Sequence, residues 1–280
     1  MHKEENSMRD APRTPGYVDT SYLQAAADLV QPIKKRSYEL LRIAPNQRIL
    51  DVGCGPGIDT LAMAELVSPQ GQILGLDADP EMVEIAQTRA ERAGLAERVE
   101  HRQGDAANLP LESRIFDACR SERLFIHLDN PSQALAEMQR VARPGAWIVL
   151  VDSDWGSLSI DSPHVEIERR LARFRAERLL SNGYSGRQLF RLFKESGLTH
   201  IEVEVWPVVI AGDGQLLRYL TKLDEVERKS LEARVMIDAE IAIWRQGLEY
   251  AERQGNAFCS MNLVLAAGRV PQDLESAQAG

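Results

Sequence analysis

Gly53, Gly55 and Gly57 follow an apolar run (Ile49, Leu50, Val52) and precede an amphipathic stretch from Ile58 to Val67. That order reads as strand, tight glycine turn and helix, which lets a ligand lie against bare backbone at a helix N-terminus. A second apolar run, Ile73 to Leu76, ends in Asp77, at the offset where a carboxylate meets a pair of ribose hydroxyls. Together the two phrases imply a nucleoside-containing cofactor. The dinucleotide fingerprint G-x-G-x-x-G would need a third glycine at position 58, which is Ile58, and Asp51 puts an acid two residues before the first glycine. A pyrophosphate disfavours that charge. An amino group and a sulfonium do not.

With D-V-G-C-G-P-G over 51–57 and L-D at 76–77, the chain resembles the class I S-adenosylmethionine-dependent methyltransferases. The resemblance implies an α/β fold: a doubly wound, mostly parallel seven-stranded Rossmann-like sheet whose antiparallel seventh strand pairs with the sixth. It implies S-adenosyl-L-methionine as cofactor, with backbone of Gly53, Cys54, Gly55 and Gly57 against its methionine part and Asp51 near the amino-acid end. Asp77 would accept from both ribose hydroxyls, and Ala78 and Met82 would flank the adenine, Met82 through a polarizable thioether. After the third strand, Gly104-Asp105-Ala106 matches the family segment in which the acid accepts the adenine amino group. A helix N-cap is the alternative reading of Asp105. Ser121 stands where the family makes a backbone contact near the sulfonium. Cys54 itself reads as a small packing residue rather than a nucleophile.

Methyl transfer from a sulfonium is an in-line displacement that needs a positioned acceptor and a dry site. Where the acceptor is a hydroxyl or an acidic carbon, a base helps. Glu122 and His127 after strand four, and Asp152 and Asp154 after strand five, are the base candidates. Leu124–Leu128 also reads as a segment packed under the cofactor, which gives His127 a structural alternative. Tyr17 and Tyr22 are placed to close over the methyl group from an N-terminal lid, with core packing as their alternative reading. Asp152 and Trp155 face the acceptor side. Phe174, Tyr184, Phe190, Trp206, Tyr219 and Trp244 are further candidates for an apolar acceptor pocket or for core.

The elements that must hold these residues alternate as strand and helix. Strands are expected at Arg48–Val52, Gln72–Leu76, Val99–Gln103, Phe116–Arg120 and Trp147–Val151. Helices are expected at Thr60–Val67, Pro80–Ala93 and Pro131–Ala142, the last opened by Asp129-Asn130-Pro131. Residues 1–15 read as a disordered tail, 16–46 as a helical lid segment and 47–156 as the cofactor-binding core. Residues 157–270 hold strands six (Ile201–Ile210) and seven (Phe258–Ala266), with helical insertions at 157–182 and 215–254 that complete the lid. Residues 271–280 read as a loose tail.

A hydrophobic content of 44% with 27% charged residues suits a folded α/β chain of 280 residues. The net charge of −9 argues against a nucleic-acid partner, and Lys34-Lys35-Arg36 reads as a solvated helix face. Cys54, Cys119 and Cys259 lie far apart, so neither a disulfide framework nor a metal site is expected. The start carries no secretory pattern and no run is long enough for a membrane span, so a cytoplasmic location is expected. Ser121-Glu122-Arg123-Leu124 replaces the N-P-P-Y type motif of methylases acting on bases or glutamine. The resemblance is therefore to the small-molecule branch, as in quinone or natural-product biosynthesis, with a homodimer left open. Two rivals remain: a Rossmann-type oxidoreductase, disfavoured by Ile58 and Asp51, and a non-methylating enzyme or regulatory module that binds the same cofactor.

Overall fold

The computed structural model describes residues 22, 29–67 and 69–272. The expected tail at 1–15, residues 273–280 of the expected tail at 271–280, most of the expected N-terminal lid and Tyr17 fall outside them. Helix α1 (Gln31–Leu41) precedes β1 (Arg48–Val52), α2 (Ile58–Ala64), β2 (Gln72–Asp77), α3 (Pro80–Arg92), β3 (Val99–Gln103) and β4 (Phe116–Glu122). Helix α4 (Pro131–Val141), β5 (Ala142–Ile160), α5 (Val165–Phe174), α6 (Ser185–Glu195) and β6 (Thr199–Ala211) follow. The chain closes through α7 (Gly214–Thr221), α8 (Leu223–Glu232), α9 (Asp238–Arg253) and β7 (Phe258–Arg269).

The seven strands form one sheet in the order β3-β2-β1-β4-β5-β7-β6. β1 to β5 pair in parallel, and β7 runs antiparallel to both β5 and β6. Strand order reverses between β1 and β4, where open α/β sheets bind their ligands. The register across that point sets Asp51 beside Arg120. Capping follows local chemistry. Asn130 Oδ1 accepts from Gln133 N at 3.2 Å with Pro131 in the first turn of α4, and Asp79 Oδ1 accepts from Glu81 N at 2.9 Å at the start of α3.

One expectation is corrected. β5 runs for 19 residues rather than five. Its pairing with β7 continues past Val151 to Ile160, interrupted between Asp154 and Ser159, so the strand extends as a two-sided platform beyond the parallel sheet. The helix of the 157–182 insertion starts at Val165 and ends in a π-helical turn over Arg175–Leu179. The helical stretch 215–254 is divided into three helices, with breaks at Lys222 (φ 48°) and Arg234 (φ 55°).

On the long β5-β7-β6 platform α5 and α7–α9 build a second apolar core, with Leu158, Phe174, Leu220, Val226 and Trp244 among its members. Trp244 is fully buried and donates its Nε1–H to Glu227 Oε1 at 3.0 Å, which satisfies the one polar atom its burial strands. This helical unit roofs the C-terminal edge of the sheet. Among the described residues no helix is long and apolar enough to cross a membrane, and no group of three or more His, Cys, Asp and Glu could hold a metal.

Candidate functional site

The turn after β1 is stitched to the end of β2: Gly53 N and Cys54 N both donate to Leu76 O, at 2.7 and 2.9 Å. All three turn glycines have positive φ, and the surroundings of two exclude a side chain as well. A Cβ on Gly53 would stand 3.0 Å from Leu124, and one on Gly57 would stand 2.9 Å from Ala86. Gly55 differs. A Cβ there would meet nothing within 4 Å, because it would project into a cavity of about 740 Å³ that the turn lines. That bare backbone is the approach surface a bound group needs.

Asp77 fixes the turn from the other side. Its Oδ2 accepts from Gly55 N at 2.8 Å and its Oδ1 from Asp79 N at 3.0 Å, so each oxygen keeps a lone pair for a ligand. Burial raises its pKa, opposed by these N–H donors. Below the turn Thr60 Oγ1 donates to Gly57 O at 3.0 Å and lies 2.8 Å from His101 Nε2. Burial lowers His101 to about 4, so a neutral imidazole packs there.

Ala78, Met82, Gly104, Asp105 and Ala106 line the same end of the cavity. Asp105 Oδ1 accepts from Ala107 N at 2.9 Å and no helix begins there. The N-cap alternative is therefore replaced by an Asx turn that leaves the carboxylate exposed beside the cavity.

At the other end of the glycine turn lies a buried charge network. Arg120 approaches Asp51 at 3.4 Å, Asp59 at 3.2 Å and Glu122 at 2.5 Å. Lys34 reaches Asp59 at 2.6 Å and Glu122 at 2.8 Å, and Tyr38 donates its hydroxyl to Asp59. Arg120 and Lys34 are 0% and 2% exposed, so the reading of Lys34 as part of a solvated face is corrected: it is a buried counter-ion. Arg123 closes on Glu122 from the rim at 3.1 Å, so Asp59 and Glu122 each have two or more cationic partners while Asp51 has only the 3.4 Å approach of Arg120 among the described residues. Burial raises the Asp51 pKa to about 7, with Arg120 and Lys34 opposing and Asp59 and Glu122 adding to the shift. Burial also pushes on Asp59 and Glu122, yet their cationic partners hold both below the usual carboxylate range.

The acceptor-side candidates separate. His127 lines the cavity, in a short 3₁₀ turn over Phe125–His127, and burial with the nearby Lys222 and Arg123 lowers its pKa to about 4. Trp155 and Tyr22 line it too, and Tyr22 donates its hydroxyl to Leu220 O at 2.9 Å. Glu122 borders the cavity but its carboxylate is spent on Lys34, Arg120 and Arg123. Asp154 is turned away and held by Arg187 Nε at 2.9 and 2.8 Å. Asp152 does not line the cavity either. It accepts from Ile126 N at 3.1 Å and Ser153 N at 2.7 Å, pinning the 3₁₀ turn onto β5, and burial raises its pKa to about 7. Ser121 is buried behind the wall, its Oγ unpaired among the described residues. None of the six aromatic residues proposed for an acceptor pocket lines the cavity.

The donor set fits a nucleoside with a cationic amino-acid tail: acceptors at the β2 and β3 ends, bare backbone between, and the weakly paired carboxylate of Asp51 at the end of β1. Residues 50–150 match the methyltransferase domain family, and the sheet order is that of the Rossmann-like seven-stranded fold its structural neighbours share. It is 40% identical over 181 residues to an uncharacterized 37.1 kDa protein in transposon TN4556 of Streptomyces fradiae, covering 64% of this chain and 52% of that one. To the demethylmenaquinone methyltransferase of Lactiplantibacillus plantarum it is 32% identical over 120 residues, 43% of this chain and 51% of that one. Phosphoethanolamine N-methyltransferase 2 of Haemonchus contortus, solved in complex with S-adenosyl-L-methionine, shares the fold with a TM-score of 0.58 at 19% identity, over 91% of this chain and 58% of that one. The chain spans about half the length of the curated relatives it matches.

Proposed function

We propose that this protein is an S-adenosylmethionine-dependent methyltransferase acting on an O, N or C atom of a small organic acceptor, in secondary-metabolite or quinone-type biosynthesis. One observation carries the reading: a single cavity joins the glycine turn and Asp77 to a second chamber walled by Leu158, Ile210, Leu220, Val226 and Met261. A cofactor held at the first end would have its reactive group facing an acceptor held at the second. When bound, the cofactor supplies an electrophilic methyl on a positively charged sulfur.

The chain's own residues have separable tasks in this reading. Asp77 receives the ribose hydroxyls, Asp105 the adenine amino group, and Met82 packs on the ring. Gly55 offers backbone to the methionine part, and Asp51 gives the cationic end a carboxylate. Leu124 and Ile126 wall the cavity and keep water from the reacting atoms. His127 is the base candidate at the wall not committed to an ion pair; its neutral imidazole accepts the hydrogen bond of a hydroxyl acceptor and takes the proton as transfer proceeds, against the burial and the cations that lower its basicity.

Asp77→Ala should weaken cofactor affinity about tenfold or more, because the hydroxyl pair and the Gly55 N–H both lose their acceptor; unchanged affinity by calorimetry would contradict the assignment. For the reaction, the protein is incubated with methyl-labelled cofactor and a panel of phenols, amines and quinone precursors. Label should appear in at least one acceptor, and for a hydroxyl acceptor His127→Asn should lower kcat about 100-fold or more at unchanged cofactor affinity. Full activity in that variant would return His127 to a wall-packing role. Tight cofactor binding with no transfer to any acceptor would favour the non-methylating reading instead.

A further inference from the structure

The acceptor chamber holds a buried cation that the proposed transfer chemistry does not use. Arg175 is 6% exposed and belongs to the chamber wall. Its Cζ stacks 3.7 Å above the Trp155 ring, and its Nη1 donates to the carbonyl of Thr221, at the C-terminal end of α7. Its Nε, and the Nε1 of Trp155, are buried polar atoms with no hydrogen-bond partner among the described residues. No carboxylate lies within ion-pair distance of the guanidinium among those residues. The nearby acid Glu225 is 3.0 Å from Lys229.

A guanidinium kept in an apolar wall without a counter-ion loses its hydration and gains little in return. Holding the α7 carbonyl needs one N–H, for which an amide or hydroxyl would suffice, so that contact does not account for the charge. Burial lowers the Arg175 pKa only to about 10, so the group stays cationic at neutral pH. The backbone is also arranged around it: Arg175 opens the π turn Arg175–Leu179, a widened helical geometry frequent at functional sites, and Leu179, Leu180 and Ser181 of and after that turn line the same cavity.

We propose that the acceptor is an amphipathic organic anion, whose carboxylate or phosphate ester is received by the Arg175 guanidinium while its apolar body fills the chamber. This deepens the methyltransferase reading and rests on it for the word acceptor. Arg175 lines the cavity with its guanidinium held flat on Trp155, and a planar guanidinium fixed in this way offers an oxyanion charge-assisted hydrogen bonds.

The test first measures S-adenosylhomocysteine binding to the full chain by calorimetry. Failure at that step counts against the methyltransferase reading, while the anion series below can still be read on the protein alone. Octanoate, octyl phosphate, octanol and octylamine are then titrated in phosphate-free buffer. At least one of the two anions should bind about tenfold or more tightly than octanol, with octylamine weakest, and whichever anion leads identifies the headgroup. Arg175→Met, which keeps the stem over Trp155 but removes the charge, should bring the anion down to the octanol level with S-adenosylhomocysteine affinity unchanged. Equal binding of anion and octanol, no binding of either anion, or a preference that survives in Arg175→Met would overturn the proposal. The wild-type series decides the matter even if the variant fails to fold.

Discussion

Arg120→Met is expected to cost about 3–5 kcal/mol of stability, the usual effect of removing one partner from a buried ion pair. The residue is fully buried, and it faces Asp51, Asp59 and Glu122 at 3.4, 3.2 and 2.5 Å. Without it, buried Asp51 loses its ion-pair partner among the described residues, and Asp59 and Glu122 are left to Lys34 and the partly exposed Arg123. Urea or thermal unfolding reads the loss, and a midpoint within the scatter of the wild type would refute this account of the network. Asp51→Asn supplies the contrast, since it removes the least paired acid rather than a cation. The pH sign follows from Asp51's raised pKa of about 7, against an ordinary value of 3.8. In the ligand-free protein the folded state holds that proton between those limits while the unfolded chain releases it, so this contribution to stability is lost as pH rises through 7. Asp51→Asn should remove that part of the pH dependence, whereas Arg120→Met should not.

Gly55→Val is expected to abolish cofactor binding, a loss of about 100-fold or more, with backbone strain lowering stability as well. The φ of 51° is unfavourable for a β-branched residue. The effect on binding is steric: the space a side chain would enter is empty of protein atoms within 4 Å, and Gly55 lines the cavity. At Gly57 the same substitution would add a clash with Ala86 and His101 to the same strain, so Gly55 is the milder of the two for the fold. Calorimetry with S-adenosylmethionine, beside circular dichroism of the same sample, measures binding and folding together. Binding retained in a folded variant would count against the turn as the cofactor seat.

Much of this site was legible because its chemistry is local. Strand, glycine turn and helix are consecutive, and Asp77 follows from the same reading one strand later. The charge network was legible only in part. Arg120 sits inside an apolar strand, a signal that acids must meet it, and Asp51 was visible two residues before the turn. Lys34 gave no such sign, since three cations on a helix look like a solvated face, and its partners lie 25 and 88 residues away. The true length of β5 was hidden for a similar reason. Asp152, Ser153 and Asp154 break the apolar pattern, yet all three are buried, with Asp152 pinned to Ile126 N and Asp154 to Arg187. Breaks at Lys222 and Arg234 carry no glycine or proline, so the helical pattern runs across 215–254 with no visible division. Arg175 was passed over because its neighbours Arg173 and Arg178 made it one more charge on an amphipathic stretch. Only the packing of α5 against the long β5 turns it inward.

The central claim is that the cavity between the β1 turn and the ends of β2 and β3 binds S-adenosylmethionine. Equilibrium dialysis of folded full-length protein against the labelled compound tests it directly. The account predicts saturable uptake of about one equivalent, displaced by S-adenosylhomocysteine and reduced in Asp77→Ala. Absence of uptake by protein shown to be folded would contradict it.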